Sequence, residues 1–515
     1  MAIIVSQIKT ALSQFESQEV FEKKAIESAR KTAKIHTEEI ARAYLTKSSV
    51  DARKKEQIYL VSSVGFELTD PQKEEEILKR TQNGKSAQFI KQQNHSSPDF
   101  VLGTEKTEYP PVIVGFGPAG MFAGLALARM GYRPIILERG AEVDRRVEAV
   151  EGFWTGKALD TATNVQFGEG GAGTFSDGKL TTRINDPRCS FILEELIRHG
   201  APEEIRYRQK PHIGTDLLRH VVKNIRQEII RLGGQVHFLT KMEEPIIQNG
   251  RITAVKTAQG EIPTQALVLA IGHSARIDKG LYGECAGHPA LPKGEYQLSW
   301  RNQEDRGVYT FCMCPGGFVV ASSSEENTVV TNGMSEYARD GENANAALVV
   351  SVDGRDFGAD ILDGVRFQRS LEQSAFRLGG ADYRAPAQSA ESFLQGTTPD
   401  LSKAKTEPTF SCGVKEAPLR SAFPQQINRM LEEGLTRFQR KLPGFADSDA
   451  VITGIETRTS SPVRITRNSE SLEALGLQGL YPCGEGAGYA GGIVSAAVDG
   501  IRVAEQIMKK YAPIE

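Results

Sequence analysis

The sequence lacks the segments that would carry a protein into or across a membrane. In its 515 residues, no apolar run approaches the roughly 18 residues that a spanning helix needs. The N-terminus has no basic region and too short an apolar stretch for a secretory signal. Cysteine is also scarce, because six residues in so long a chain do not make a disulfide framework. These absences favour a cytoplasmic protein with reduced thiols.

The sequence also carries little net charge. Its 62 basic and 65 acidic residues leave a formal charge of -3, so bulk electrostatics predicts neither nucleic acid nor a membrane as an obligatory partner. It contains no metal-ligand spacing and no nucleophile elbow, which argues against metal and acyl-transfer chemistry. The apolar fraction of 39% is ordinary for a globular protein, and the length allows two or three domains.

Glycine is absent before Gly65, but its first cluster after that point has an informative order. Val112–Val114 is a short apolar run typical of a strand buried in a parallel sheet. Gly115, Gly117 and Gly120 follow with the G-x-G-x-x-G spacing and lead into a predicted helix. Such glycines permit a tight turn, close approach of a pyrophosphate and close packing of the helix on the strand. The segment therefore predicts a dinucleotide at a helix N-terminus.

A second predicted strand, Pro134–Leu137, ends in Glu138. This carboxylate lies about 20 residues beyond the glycines, where a dinucleotide-binding fold places the acid that binds the adenosine ribose hydroxyls. The alternative is a tight turn in an unrelated α/β protein. Strand, glycines, helix, strand and acid occur here in the order of the nucleotide-binding unit, which favours the dinucleotide.

Two further glycine clusters occur later in the chain. Phe167–Leu180 contains five glycines yet keeps large apolar side chains, which favours a folded loop near a ligand over a flexible linker. In this loop Thr174, Ser176 and Lys179 could bond phosphate, ribityl or substrate oxygens. The last cluster, Gly479–Gly500, combines a strand, a glycine turn and a helix whose N–H groups can face an anionic or electron-accepting group.

The first 100 residues are rich in Lys and Glu and have no phosphate loop, and they predict a small α+β domain. Its elements are strands at Ile3–Ile8 and Ile58–Leu68 and helices at Glu19–Lys34, Glu38–Leu45 and Pro71–Arg80. The basic run Lys47–Lys55, which includes Arg53 and Lys54, could bind RNA, protein or an anionic ligand, although a solvated hairpin is favoured. Residues 83–109 predict a linker.

The later patterns predict a return to the nucleotide-binding sheet and then an insertion. The expected elements before residue 278 are helices at Cys189–His199 and Asp216–Arg231, a strand at Gly233–Met242, a hairpin over 251–262 and a buried strand at Ala266–Gly272. We assign this last strand to the same sheet as Val112–Val114. Residues 278–449 predict an inserted domain with strands at Gly307–Met313, Phe318–Ser322 and Thr328–Asn332 and helices at Asn343–Val349 and Ile427–Phe438.

Together these features resemble the FAD-dependent oxidoreductases of the glutathione-reductase-like superfamily. The resemblance implies that the first motif holds the ADP half of FAD and that the last cluster holds its isoalloxazine end. Leu267–Gly272 resembles the middle flavoprotein motif. Gly484 and Glu485 resemble the glycine–acid pair of this superfamily, in which the carboxylate bonds the ribityl hydroxyls of FAD. Gly491–Ile493 resembles the helix start whose N–H groups face flavin N1 and O2 and stabilise negative charge on the reduced ring.

More narrowly, the chain resembles a bacterial family of uncharacterised FAD-dependent dehydrogenases in five segments: Gly117–Gly120, Phe167–Leu180, Ile271–Arg276, Phe311–Gly317 and Glu456–Arg464. The similarity covers nearly the whole chain and implies a ferredoxin-like N-terminal domain. The chain departs from the family after Arg276, where a strand-containing segment expected before Asp278, near the active-site entrance, is absent.

The predicted fold class is α/β. It comprises a discontinuous Rossmann-type FAD-binding domain, an inserted α+β substrate or cap domain and a small α+β N-terminal domain. The predicted boundaries are 1–100 for the N-terminal domain, 110–277 and 450–515 for the two parts of the FAD-binding domain, and 278–449 for the insertion.

FAD is the predicted cofactor, and its expected contacts come from all the glycine-rich segments. They are Gly115, Gly117, Pro118, Ala119, Gly120, Glu138, Arg139, Gly170, Gly171, Ala172, Gly173, Thr174, Lys179, Leu180, Met242, Ala270, Gly272, Gly484, Glu485, Gly491, Gly492 and Ile493. Only one complete G-x-G-x-x-G unit occurs, so an internal NAD(P)H domain is not evident. Reduction would then come from the substrate, a partner, or a nicotinamide that binds without that fold.

Three residues are candidates for chemistry beside the flavin. Cys312 and Cys314 form a C-x-C pair that could exchange with flavin or substrate. Strand alternation, however, would put both sulfurs on one face, where two buried thiols are ordinary core residues. His273 could be a general acid or base, or a hydrogen-bonded histidine behind the site. Cys483, beside the flavin motif, is predicted to be a packing residue.

Two classes of function follow from these expectations. The first is an FAD-dependent oxidoreductase that transfers hydride or electrons between FAD and an unidentified small organic substrate. The second is a flavin-binding sensor, or an RNA- or protein-interacting flavoprotein, that uses the basic run of the N-terminal domain.

Overall fold

The computed structural model describes residues 2–54, 57–81, 89–92, 100–182, 184–270, 277–280, 288, 290–402 and 404–514. Its first elements are β1 (Ala2–Ala11), α1 (Gln18–Ala33), β2 (Ile40–Asp51), β3 (Tyr59–Leu68), α2 (Pro71–Thr81) and β4 (Phe89–Gln92). The four strands form one sheet in the order β2-β3-β1-β4. Helix α1 begins after Ser17, whose hydroxyl accepts a hydrogen bond from the Val20 N–H, and it packs Phe21 and Ala25 into the core of this sheet.

Two expectations for this region were wrong. Residues 38–45 were expected to form a helix, but β2 pairs with β3 in antiparallel register from Ile40–Leu68 to Asp51–Tyr59. Cross-strand pairing along the whole strand outweighs the local helix propensity of its Ala, Arg and Leu residues. Within the predicted linker 83–109, β4 is an edge strand paired with β1, while residues 82–88 and 93–99 lie outside the described part of the chain.

The basic run Lys47–Lys55 lies at the end of β2 and in the connection to β3. Lys47, Arg53 and Lys54 are exposed, and the Arg53 guanidinium lies 2.7 Å from the Asp51 carboxylate. Lys55 is outside the described residues. The favoured interpretation, a solvated hairpin, agrees with this geometry.

The chain continues into alternating strands and helices. They are β5 (Val112–Val114), α3 (Pro118–Arg129), β6 (Ile135–Leu137), α4 (Val143–Trp154), α5 (Arg188–Arg198), α6 (Thr215–Arg231), β7 (Gln235–His237), β8 (Met242–Gln248), β9 (Arg251–Thr257), β10 (Gly260–Pro263) and β11 (Leu267–Ala270). The strand expected over Gly233–Met242 is therefore shorter, and Met242 begins the next strand. Strands β9 and β10 form the expected hairpin.

The remaining elements are richer in strands. They are β12 (Ile277–Gly280), β13 (Ser299–Arg301), β14 (Gly307–Cys314), β15 (Phe318–Ala321), β16 (Thr331–Met334), β17 (Asn343–Val350), α7 (Gly354–Phe357), α8 (Asp363–Leu378), β18 (Ala385–Ser389), α9 (Ala390–Gln395), β19 (Val414–Glu416), α10 (Gln425–Lys441), β20 (Val451–Thr453), β21 (Leu480–Cys483) and α11 (Ile493–Lys510). The helix expected over Asn343–Val349 was wrong, because β17 pairs with β14 on one side and β12 on the other. The strand expected at Thr328–Asn332 begins instead at Thr331.

Two large sheets dominate the molecule beyond the N-terminal unit. Strands β21, β11, β5, β6 and β7 lie side by side in that order, and each neighbouring pair is parallel. A seven-stranded sheet has the order β13-β14-β17-β12-β20-β18-β19. The predicted mixed α/β fold with a parallel sheet is confirmed. Of the helices in the described residues, none combines the length and apolar character needed to cross a bilayer.

Glycine sets the distances between the parallel sheet and its helices. Gly115 has φ +98°, and a Cβ built on it would lie 2.2 Å from the Ala270 carbonyl oxygen. A Cβ on Gly120 would lie 2.0 Å from the Gly115 oxygen, and one on Gly500 would lie 2.1 Å from the Ala119 oxygen. Helices α3 and α11 can therefore pack together, and α3 can lie on its strand, only because these positions have no side chain.

Candidate functional site

A cavity of about 410 Å³ opens at the carboxyl ends of β5, β6 and β11. Val114, Leu137 and Ala270, each the last residue of its strand, line it together with the N-terminal residues of α3 and α11. Ligand sites in open parallel sheets form at this edge. The wall thus joins segments that are far apart in the sequence.

Most of the residues predicted to contact FAD line this cavity. They are Gly115, Gly117, Pro118, Ala119, Glu138, Arg139, Gly171, Ala172, Gly173, Lys179, Met242, Ala270, Glu485, Gly491, Gly492 and Ile493. Of the catalytic candidates, Cys312 is in the wall and Cys314 is not. Gly272 and His273 lie outside the described residues, as does the chain around Arg276 where a segment was expected to be missing.

Gly120, Gly170, Thr174, Leu180 and Gly484 are predicted contacts that do not line the cavity. The Thr174 hydroxyl donates to the Glu169 carbonyl oxygen at 3.1 Å, so it bonds within its own loop. The Gly484 N–H donates to a carboxylate oxygen of Asp499 at 2.9 Å. Leu180 is buried in the core beneath the sheet. These five residues therefore belong to the segments that form the cavity wall but do not line the cavity themselves.

The Glu138 carboxylate holds three turns of the wall together. One oxygen accepts the Phe116 N–H at 2.8 Å, and the other accepts the N–H groups of Gly140 and Gly168 at 2.9 and 3.0 Å. The side chain is 5% exposed. Glu138 was predicted to bind ribose hydroxyls, and the carboxylate keeps further lone pairs for that role, but here it also fixes the first glycine turn against the second glycine cluster.

Arg146 organises the second glycine cluster and was missed by the sequence analysis. Its fully buried guanidinium donates to the carbonyl oxygens of Asn164, Val165, Glu169 and Gly171, at 2.6 to 3.0 Å. Burial lowers the pKa of this guanidinium to about 10. A signal was available in the sequence, because Arg146 shares the buried face of α4, at helical spacing, with apolar residues.

A buried ion pair closes the cavity beside Lys179. Asp177 is 2% exposed, lines the cavity and accepts a hydrogen bond from Nε of Arg339 at 2.8 Å. Burial would lower the pKa of Arg339, but hydrogen bonding to Asp177 holds it above its ordinary value. Glu295 lies 3.1 Å from the same guanidinium and 3.5 Å from Nζ of Lys179. Lys179 therefore enters the wall with an acidic neighbour.

A second buried ion pair joins α11 to the turn that follows β21. The Asp499 carboxylate bonds the Arg467 guanidinium at 2.6 and 2.9 Å and also accepts the Gly484 N–H. Beside it Cys483 is fully buried, and burial together with Asp499 raises the pKa of its thiol well above the ordinary range. A reactive thiolate is therefore disfavoured at this position, as predicted for a packing residue.

The expectation that Cys312 and Cys314 share one face of a strand was wrong. The register between β14 and β17 shifts between Phe311 and Cys314, and Cys312 has φ +41°. A bulge breaks strand alternation. Cys312 is consequently partly exposed at the cavity, whereas Cys314 is fully buried. All five cysteines of the described residues are thiols.

The residues present fit an elongated dinucleotide such as FAD. The glycine turn before α3 and the one before α11 both leave room at the backbone: a Cβ on Gly117 would have its nearest neighbour at 3.8 Å, and one on Gly491 would have none within 4 Å. The N-terminal residues of two helices, α3 and α11, line the same cavity, and helix N-termini favour negatively charged groups. Gln166, which lines it at 6% exposure, has a side-chain oxygen without a hydrogen-bond partner among the described residues. This buried oxygen is suited to a ligand donor.

Comparison of the sequence with known proteins identifies the family to which the chain belongs. Residues 267–459 match the family described as "FAD-dependent protein, C-terminal domain-like". The chain is 45% identical to an uncharacterised protein of Clostridium beijerinckii (strain ATCC 51743 / NCIMB 8052), over 99% of both chains. The predictions of an FAD-dependent family and of FAD as the cofactor are confirmed.

Solved structures resemble the chain more distantly. Glycine oxidase from Bacillus cereus is 11% identical, with 78% of this chain and 95% of that chain covered and a TM-score of 0.29. L-proline dehydrogenase from P. horikoshii is 11% identical, with 79% and 94% covered and a TM-score of 0.31. Iminodiacetate oxidase from Chelativorans sp. BNC1 is 12% identical, with 78% and 96% covered and a TM-score of 0.33. Similarity at this level does not define a shared substrate.

Proposed function

The chain belongs to a family of FAD-dependent proteins, and from this membership we propose that it is an oxidoreductase that transfers hydride or electrons between bound FAD and a small organic substrate. FAD supplies the hydride or electron transfer when it is bound. The observation that carries the proposal is the single cavity whose wall contains both the glycine turn before α3 and the helix start of α11.

The proposed contacts follow the length of the cavity. Gly115 would permit the turn, and Gly117 and the N-terminus of α3 would hold the pyrophosphate, with Glu138 at the ribose. Gly491–Ile493 would present N–H groups of α11 to the isoalloxazine end, and Glu485 would bond the ribityl hydroxyls. The residues of this chain would bind, orient and polarise the cofactor.

We propose that residues 110–277 and 450–515 form one FAD-binding domain and that 278–449 form a substrate or cap domain. The parallel sheet supports this, because β5 pairs with β11 and β11 pairs with β21. Reduction would come from the substrate, an external donor, or a nicotinamide that binds without a second nucleotide-binding fold, since one such unit is evident in the sequence. The five thiols of the described residues support a reducing compartment such as the cytoplasm.

The FAD site is tested by Gly117→Val. Gly117 has φ -77°, which valine adopts, and its Cβ would meet only Gly171 at 3.8 Å. We expect a folded protein that has lost its yellow colour, because the valine branches occupy the space proposed for the pyrophosphate. Gly294→Val is the matched control, since nothing lies within 4 Å of that position and it should keep FAD. A folded, yellow Gly117→Val protein would contradict the site.

Enzyme activity is tested separately on the FAD-loaded protein. Under anaerobic conditions, a panel of metabolites and nicotinamides is screened for bleaching of the flavin absorbance. We expect at least one donor to reduce the flavin faster than the buffer blank. If none does, while FAD remains bound, a sensor or interaction role replaces the oxidoreductase role.

A further inference from the structure

A second cavity, of about 440 Å³, adjoins the first, and Thr459 lines both. Its wall is formed by residues of β17, α8, α10 and the segment after β20. It combines four phenylalanines, Phe357, Phe367, Phe393 and Phe423, and branched side chains such as Leu431 and Leu435 with several hydroxyl side chains, among them Ser351 and Ser460. A site of this size and lining is typical of a small-molecule pocket.

The arginines close in sequence to the lining residues are already paired with carboxylates. Arg306 and Asp356 pair at 2.7 Å, each 5% exposed. Arg458 and Glu372 pair at 2.8 Å in the interior. Among the described lining residues Glu456 is the one with a charge, and it already interacts with another group of the protein. The wall therefore offers no basic side chain to a phosphate or carboxylate.

The wall contains a hydroxyl group that is available to a ligand. The hydroxyl of Thr453, at the end of β20, is buried and has no hydrogen-bond partner among the described residues. A buried hydroxyl without a partner is unfavourable, and a ligand hydroxyl or carbonyl group would satisfy it. The cavity also reaches the surface at Val352, which is 44% exposed, so an apolar molecule has a route of entry.

We infer that this second cavity is the substrate pocket and that it takes a largely apolar molecule, aromatic or branched aliphatic, without a phosphate or carboxylate group and with one hydroxyl or carbonyl group that bonds Thr453. The inference rests on the proposed oxidoreductase function, because the pocket lies beside the proposed FAD site. Thr459 lines both cavities. The inference excludes phosphorylated compounds as substrates.

Equilibrium dialysis of the FAD-loaded full chain with naphthalene, 2-naphthol and 2-naphthyl phosphate tests the pocket. We expect 2-naphthol to bind about five-fold more tightly than naphthalene, as one neutral hydrogen bond predicts, and the phosphate not to bind. Thr453→Val keeps the side-chain shape and should remove the preference for 2-naphthol while leaving naphthalene binding unchanged. Equal preference in the wild-type and Thr453→Val proteins would overturn the role of the hydroxyl.

Leu431→Trp should fill the cavity and weaken binding of both uncharged probes at least ten-fold. Leu475→Trp is the matched control, because Leu475 is 64% exposed and lines neither cavity. Unchanged binding in Leu431→Trp, or binding of the phosphate, would overturn the pocket. Flavin content and flavin reduction are measured in the same samples. A yellow, reducible protein that binds no probe would contradict only the pocket. A colourless protein that binds the probes would contradict only the oxidoreductase proposal.

Discussion

At the scale of single residues, the cavity wall is held by buried charges that bond backbone groups. Glu138 accepts three N–H groups, and Arg146 donates to four carbonyl oxygens. A glycine-rich loop has few side chains with which to pack and loses much backbone freedom on folding. Charge-assisted hydrogen bonds to the two buried side chains replace that missing packing. We infer that the wall is preformed because of these two residues.

His212 gives a prediction on pH. Its ring nitrogen Nε2 lies 3.1 Å from the Tyr337 carbonyl oxygen. Burial, followed by the Arg339 charge, lowers its pKa below 6.5, although Asp177, the hydrogen bond to Tyr337 and Glu204 act in the opposite direction. Below pH 6.5 the unfolded chain takes up a proton that the folded chain still excludes, so acid favours unfolding. We expect His212→Gln to lose less unfolding free energy than the wild type between about pH 7.5 and about pH 5.5.

Urea unfolding at the two pH values measures this difference. His237→Gln is the control, because His237 is exposed and should keep the wild-type pH dependence. If the wild type and His212→Gln lose the same free energy of unfolding on acidification, burial does not hinder protonation of His212 in the folded state.

At the scale of elements, the contact between α3 and α11 couples stability to the FAD site. Gly500 is in the middle of α11, and an added methyl group would lie 2.1 Å from the Ala119 carbonyl oxygen. We expect Gly500→Ala to lower the free energy of unfolding by about 1–3 kcal/mol through overpacking. It should also weaken FAD binding, since the N-termini of both helices line the cavity.

A helical glycine elsewhere provides the matched control. In α4 a Cβ on Gly152 would meet only the flexible Lys157 side chain, at 3.0 Å. Gly152→Ala should therefore keep FAD and gain up to about 1 kcal/mol from helix propensity. Chemical denaturation and flavin titration of both variants check the pair. Equal effects would show that the α3–α11 spacing is not critical.

The elements also show what the sequence could and could not predict. The turn from Gly115 to Gly120 was predictable because glycine is required there by local geometry, namely a φ of +98° and carbonyl oxygens about 2 Å from any added Cβ. Residues 38–45 and 343–349 were not, because their strand conformation depends on partners distant in the sequence. Local periodicity contains no information on such partners.

The same limit applies to the candidate site. Its glycines and helix starts could be found from spacing, but the bulge that separates Cys312 from Cys314 depends on the register against β17. The second cavity could not be predicted at all, because α8, α10 and β17 contribute to its wall from separate parts of the chain. Pockets between elements require the tertiary structure.

At the scale of the whole molecule, the N-terminal sheet is a unit with its own core and a narrow contact to the rest. Phe21, Val64 and Phe66 belong to a hydrophobic cluster that is separate from the core of the parallel sheet. The edge strand β2 touches the remainder through Ser48, whose N–H donates to the Tyr207 carbonyl oxygen at 2.7 Å. No residue of this unit is in the wall of either cavity, as far as the chain is described.

We therefore predict that a chain beginning at Phe100 binds FAD with the affinity of the full-length protein. The cavity wall begins at Val114, and residues 103–105 stay attached because the Gly103 N–H donates to the Met508 carbonyl oxygen at 2.7 Å. Flavin titration of both chains measures the affinity, and Gly117→Val in the shortened chain should abolish binding. Tyr207, which packs against the N-terminal core, becomes exposed on truncation, so some loss of stability is expected. A shortened chain with native circular dichroism but no flavin affinity would show instead that the N-terminal unit is needed to build the FAD site.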